Sequence, residues 1–112
     1  MKSIFDKVSN DCSKLVIKRY STSIYFSISL ISKDVRQDIF NIYGFVRLAD
    51  EIVDTFHDFP KKELLEDFEK ELWRSIENKI SLNPILNSFQ FTVNKYSISK
   101  DLISSFLNSM KM

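Results

Sequence analysis

The sequence predicts an all-α fold, and three observations carry that prediction. Glycine occurs once (Gly44) and proline twice (Pro60 and Pro84) in 112 residues. No Asn-Gly or Asp-Gly hairpin dipeptide is present, so the turns a sheet needs are missing. Apolar residues recur three and four apart through most of the chain, which is the helical period.

The first helix is expected from Ile4 to about Arg19, on Ile4, Phe5, Val8, Cys12, Leu15 and Val16. Tyr20-Ser21-Thr22-Ser23 then interrupts with hydroxyl side chains of the kind that start helices, and a short second helix runs to about Ile31. Ser32 can cap the longest helix, from Lys33 to about Phe56, with Asp34 in the first turn where the helix dipole favours a carboxylate. His57-Asp58-Phe59-Pro60 ends it, because the residue before proline is steered away from helix. A fourth helix, about Lys61 to Asn78, carries charge on one side and Leu64, Leu65, Phe68, Leu72, Trp73 and Ile76 on the other. Asn83-Pro84 reads as a cap plus first-turn proline and opens a fifth helix to about Tyr96. A sixth begins near Ser99 and is still in pattern at Met112.

The bulk numbers describe one ordinary globular unit: 44% hydrophobic, 28% charged, net charge +1. Neither nucleic acid nor an anionic membrane is implied by that balance. Scarce glycine rules out phosphate loops of the dinucleotide and nucleoside-triphosphate types. The lone Cys12 cannot make an internal disulfide, and the chain reads as cytoplasmic, any membrane contact being peripheral because no apolar run reaches about 18 residues.

Chemistry concentrates on the long helix. At about 100° per residue, Tyr43, Arg47, Asp50 and Asp54 share one stripe. Val35, Ile39, Ile42, Phe45, Val46, Ala49, Ile52, Val53 and Phe56 form the adjoining arc, expected to face the core, while Phe40, Gly44 and Leu48 share the far side with Gln37, Asn41 and Glu51. Aspartates one turn apart repel, so a positive partner is expected between them. A solvated stripe with a local ion pair is the common explanation for such a pattern. Magnesium, held by one or two carboxylates together with substrate phosphates, is the specific one, and Arg47 adds a planar fork suited to phosphate oxygens.

Tyr20-Ser21-Thr22-Ser23, Val35-Arg36 and "NIYGFVRLADEIVD" from Asn41 to Asp54 together make a far more specific pattern than the carboxylate pair. It resembles the amino-terminal third of the squalene and phytoene synthase family, the head-to-head prenyl diphosphate synthases, with phytoene synthase preferred. The resemblance implies a helical bundle of the isoprenoid synthase type, of which this chain would hold about six helices. It implies that Asp50 and Asp54 bind Mg2+, with Mn2+ able to replace it, and that Arg47 contacts a diphosphate. Tyr43 would lie near the allylic cation, and Tyr20, Ser21 and Ser23 would approach the diphosphate. The implied reaction joins two isoprenyl diphosphates, geranylgeranyl diphosphate being expected, through a cyclopropyl intermediate. Squalene or dehydrosqualene synthase using farnesyl diphosphate is the alternative within the family, and a non-catalytic relative or helical interaction domain the alternative outside it. No obligate protein partner is expected.

Three positions depart from the family pattern: Ile24 where an aromatic is usual, Gly44 where alanine is common, and Glu51 where a second aspartate is frequent. The first two are expected to alter cavity shape slightly and the third to be conservative. Phe40, Phe45, Phe89, Phe91 and Phe106 are core residues by spacing, and only the resemblance would place them along a chain-binding cavity. Because the family uses a second aspartate motif on a later helix, residues 1–112 are expected to be an inactive amino-terminal part of one domain.

Overall fold

A computed structural model describes residues 1–111; the expected continuation of the sixth helix at Met112 lies outside them. Six helices follow in order: α1 (Lys2–Tyr20), α2 (Thr22–Ser29), α3 (Lys33–Asp54), α4 (Lys61–Asn78), α5 (Pro84–Tyr96) and α6 (Lys100–Met110). Among the described residues no strand occurs, and no helix is long and apolar enough to cross a membrane.

The helix starts follow from capping chemistry. The Ser32 hydroxyl accepts from Asp34 N, the Ser99 hydroxyl from Asp101 N, and the Asn83 side chain from both Ile85 N and Leu86 N with Pro84 in the first turn. Ser21 differs. It breaks the chain between α1 and α2 with no side-chain capping bond, so the break rests on backbone conformation and on the Ser21 N–H, which donates to Ile17 O at the end of α1. α3 stops at Asp54, two residues short of the expected Phe56.

α3 is the central helix and touches each of the other five. Around Phe45 the rings of four helices meet. Its centroid lies 4.0 Å from that of Phe89 in parallel, 5.6 Å from Phe68 and 5.8 Å from Phe106. Leu65, Leu72, Leu86, Val93, Ile103 and Leu107 close the core around this stack. Phe40 is buried in a smaller cluster with Ile17 and Ile28, and Phe91 stands exposed on α5. Phe40, Phe45 and Phe89 therefore pack the interior, which corrects the cavity-lining assignment.

The buried arc of α3 is also rotated from the expected one. Asp38, Phe40, Asn41, Gly44, Phe45, Ala49, Glu51 and Ile52 are buried, whereas Val35 is exposed and Ile39, Ile42, Val46 and Val53 are half-buried. Polar pairing between helices accounts for the difference. The Asn41 amide donates to Thr92 Oγ1 at 3.1 Å, and Thr92 Oγ1 donates to Asp38 Oδ1 at 3.0 Å. Lys95 Nζ and Tyr96 OH donate to the other Asp38 oxygen at 2.8 and 2.7 Å. On the next face Gly44 lies against α1. A Cβ there would stand 3.0 Å from Ser13 Cβ and 3.2 Å from Ser13 Cα, so Gly44 sets the helix crossing and lines no cavity. Beside it Ser13 and Ser88 hydroxyls hydrogen-bond, and Asn87 donates to Ser9 and Asp6. The packed face of α1 is thus a line of small hydroxyl residues, Ser9 and Ser13, ending in Ile17, while Ile4, Val8 and Leu15 face out.

Two stability predictions follow from these seams. Burial alone would raise the Asp38 carboxyl, but the hydrogen bonds from Lys95, Tyr96 and Thr92 outweigh it and hold the group below the usual carboxylate range. A depressed folded pKa gives stability that is present above the unfolded value of about 3.9 and is lost as pH falls through the folded value. Asp38→Asn is therefore expected to cost about 2 kcal/mol at pH 7, read as a lower urea midpoint, and the gap from wild type should shrink at more acid pH. Gly44→Ala sets a helix-propensity gain of about 1 kcal/mol against overpacking of about 1–3 kcal/mol. A net loss is expected, and Gly44→Leu should lose more; unchanged midpoints for both would show that the α1–α3 crossing can widen freely.

Candidate functional site

Because the buried arc of α3 faces α1, α4, α5 and α6, its remaining flank is open along most of its length. Tyr43 is exposed there, Arg47 and Asp50 are half-buried, and Asp54 is exposed at the last helical position. About one turn separates successive members, so the helix itself holds the predicted stripe together. Along one side of the stripe runs the half-buried apolar strip of Ile39, Ile42, Val46 and Val53. Near Tyr43 a groove of about 430 Å³ opens between α2 and α3, walled by Ile24, Ile28, Ile31, Ile39 and Ile42. Ile24 thus borders a groove between α2 and α3. At the other end Val53 borders a second groove, about 350 Å³, with Leu65, Met110 and the lysines of α4. Neither groove is walled by Asp50 or Asp54.

The expected cation between the two aspartates is not placed there. Arg47 Nη2 lies 2.9 Å from Glu51 Oε2, one turn along, and its guanidinium sits 4.5 Å from the centre of the Tyr20 ring. The Glu51 contact is an ion pair by distance alone, since Glu51 Oε2 is buried yet accepts no hydrogen bond in line with a donor. Burial raises the Asp50 carboxyl above its ordinary range, the charge of Asp54 adds to the rise, and Arg47 offsets only part of it. Among the described residues neither aspartate belongs to a salt bridge.

Tyr20 therefore reaches the stripe through Arg47, at the end of α1. Ser21 follows it half-buried, and Ser23 is exposed on the first turn of α2. Among the described residues no hydrogen bond ties either hydroxyl to α3; the Ser23 carbonyl is used within α2 by Ser27. His57 lies beyond the helix, with Lys61 Nζ 3.2 Å from its Nδ1, in keeping with a turn residue.

The residue that sequence reasoning undervalued is Glu51. It was grouped with the far side as a conservative variant, whereas the structure buries it, with 9% exposure, against Arg47. The signal was present as an Arg-to-Glu spacing of four, the usual ion-pair separation on a helix.

The donor set on the open flank suits a hard divalent cation in chemistry: two carboxylates one turn apart, mutually repelling and, among the described residues, in salt-bridge contact with no cation, Arg47 offsetting only part of the repulsion. Among the described residues no group of three or more acidic, histidine or cysteine side chains converges to complete such a site.

Comparison with known proteins adds the family. Neither the curated proteins nor the solved structures gave a match. A family model, squalene/phytoene synthase, matches residues 17–112, from the end of α1 onward and across the whole stripe. That family consists of prenyltransferases that act on isoprenyl diphosphates and generally depend on a divalent metal. With six helices, an acidic stripe on the central one and a match over most of its length, the chain belongs to the squalene/phytoene synthase family.

Proposed function

We propose that this protein is a phytoene synthase-like prenyltransferase, condensing two molecules of geranylgeranyl diphosphate head to head through a cyclopropyl diphosphate intermediate. Residues 1–112 would supply one wall of the active site, as the amino-terminal part of a single isoprenoid synthase domain. The observation that carries this reading is the open flank of α3, where Asp50 and Asp54 stand without a paired cation beside a half-buried apolar strip.

In this reading Asp50 and Asp54 hold Mg2+, or Mn2+ in its place, against the substrate diphosphate. When bound, the cation neutralises charge on the leaving diphosphate. Arg47 lends its free N–H groups to diphosphate oxygens, which a planar guanidinium matches better than a lysine can. Ser21 at the chain break and Ser23 in the first turn of α2 follow directly on Tyr20 and would add hydroxyl donors. Ile39, Ile42 and Val46 shield the isoprenoid chain from water, and Tyr43, at the mouth of the α2–α3 groove, presents a ring face to the allylic cation. The contribution of these side chains is to orient the diphosphate and exclude water, since departure of the leaving group needs charge stabilisation more than proton transfer.

Two measurements test the proposal. A raised folded pKa means that ionised Asp50 opposes folding at neutral pH and that its protonation in acid relieves the strain. Asp50→Asn should accordingly raise the thermal midpoint at pH 7 while abolishing the further rise that magnesium plus inorganic pyrophosphate gives the wild type. A ligand-induced rise in Asp50→Asn and Asp54→Asn as large as that of the wild type would refute the metal assignment. In a product assay with labelled geranylgeranyl diphosphate, the complete protein carrying this segment is expected to lose about 10²-fold or more on either substitution, and residues 1–112 alone to give only background. Clear turnover by residues 1–112 would overturn the half-site reading.

A further inference from the structure

Arg47 is held from two sides by groups that do not themselves lie on the stripe of Tyr43, Asp50 and Asp54. Glu51 sits a turn further along α3, buried, with Oε2 at 2.9 Å from Arg47 Nη2 and no hydrogen bond of its own. Tyr20 comes from another helix, and Arg47 Cζ lies over its ring, 4.5 Å from the centroid. A free arginine samples many rotamers, whereas an ion pair on one nitrogen and an aromatic ring beneath the guanidinium leave it few. The remaining N–H groups keep a path outward, because a quarter of the side chain (26%) stays exposed.

We infer that Tyr20 and Glu51 are positioning residues: Tyr20 through its ring and Glu51 through its carboxylate hold the Arg47 guanidinium in place for a diphosphate, and neither touches the diphosphate itself. This rests on the diphosphate reading of Arg47 given above. It departs from the family-based expectation for Tyr20, which places the residue's polar end on the ligand. The distinction is chemical, since a platform needs the aromatic face and a donor needs the hydroxyl. It also makes Glu51 more than a conservative replacement. A carboxylate buried beside Asp50 adds negative charge next to the proposed metal ligands, and its nearest cation in the structure is Arg47.

The test is titration of inorganic pyrophosphate, in saturating magnesium, into the 112-residue protein and its variants. Tyr20→Phe should bind like wild type, whereas Tyr20→Leu and Glu51→Gln should each weaken binding about threefold to tenfold, the range expected when a long side chain must be ordered anew on binding. In an Arg47→Ala background neither substitution should weaken binding further, because both act through the arginine. Tyr20→Phe as weak as Tyr20→Leu would overturn the inference by assigning the hydroxyl to the ligand. So would effects of Tyr20→Leu and Glu51→Gln that add in full to that of Arg47→Ala, or wild-type binding by both while Arg47→Ala binds weakly. If Arg47→Ala and Asp50→Asn bind as wild type does, the diphosphate reading itself fails, and the inference with it. Tyr20 stands half exposed, so its two variants should keep the helical circular dichroism and decide the question of ring against hydroxyl even where Glu51→Gln unfolds.

Discussion

The rotation of α3 about its own axis is the constraint on which the remaining structure depends. Five neighbours cover this 22-residue helix, and three kinds of contact agree on its setting. Phe45 enters the aromatic stack, Asp38 and Asn41 meet the side chains of α5, and Gly44 lets α1 approach to backbone distance. A shift of one residue, about 100°, would strand Asp38 away from Lys95 and Tyr96 and push a side chain into Ser13. No such shift is affordable in a close-packed interior. The uncovered flank is thus what the packing leaves over, and Tyr43, Asp50 and Asp54 occupy it.

That setting also decides the electrostatics. Arg47 is spaced to reach Asp50 at three residues or Glu51 at four, and both spacings suit a helix. Glu51 is buried, so water screens the pair less than it would on the open flank. Coulomb attraction at 4 Å grows from about 1 kcal/mol in water to about 4 kcal/mol at an effective dielectric of 20, which favours the buried partner. Tyr20 then closes over the guanidinium. With its nearest arginine engaged elsewhere, Asp50 is left with burial and the charge of Asp54, and its carboxyl is raised.

The sequence made the six helices legible, with ends correct to within about two residues, because capping residues and apolar spacing are local signals. Ser32, Asn83 and Ser99 were read as caps or helix starts and act as caps. The setting of α3 was not legible, and the reason is specific. Ranking faces by apolar content placed Ile39, Ile42 and Val46 inside and Asn41 and Gly44 outside, yet Asn41 finds Thr92 51 residues away, and Gly44 finds Ser13 on α1. A polar residue is buried when a partner exists for it, and partners on distant helices leave no periodic trace. The carboxylate stripe itself was legible, since one helix carries it entire. The Glu51 contact with Arg47 was open to reading from their spacing of four, whereas the Tyr20 contact was not, because the fold brings Tyr20 there from α1.

The polar groups of this bundle fall into two sets by where their partners come from, and the division bears on function. Asp38, Asn41, Asn87 and Ser13 reach across 51 to 81 residues to groups that satisfy them, so each lowers the energy of this one packing and penalises others. Asp50 and Asp54 stand outside that network. Their mutual repulsion would amount to a few tenths of a kcal/mol on a helix surface and grows where water is partly excluded, as it is at Asp50. Replacing either by a neutral residue would relieve the fold, so packing gives no reason for the pair. In the metal role proposed above, a divalent cation would reverse the balance: attraction of both carboxylates to a +2 charge would outweigh their repulsion of each other, and the closeness that is costly without the ion would favour holding it.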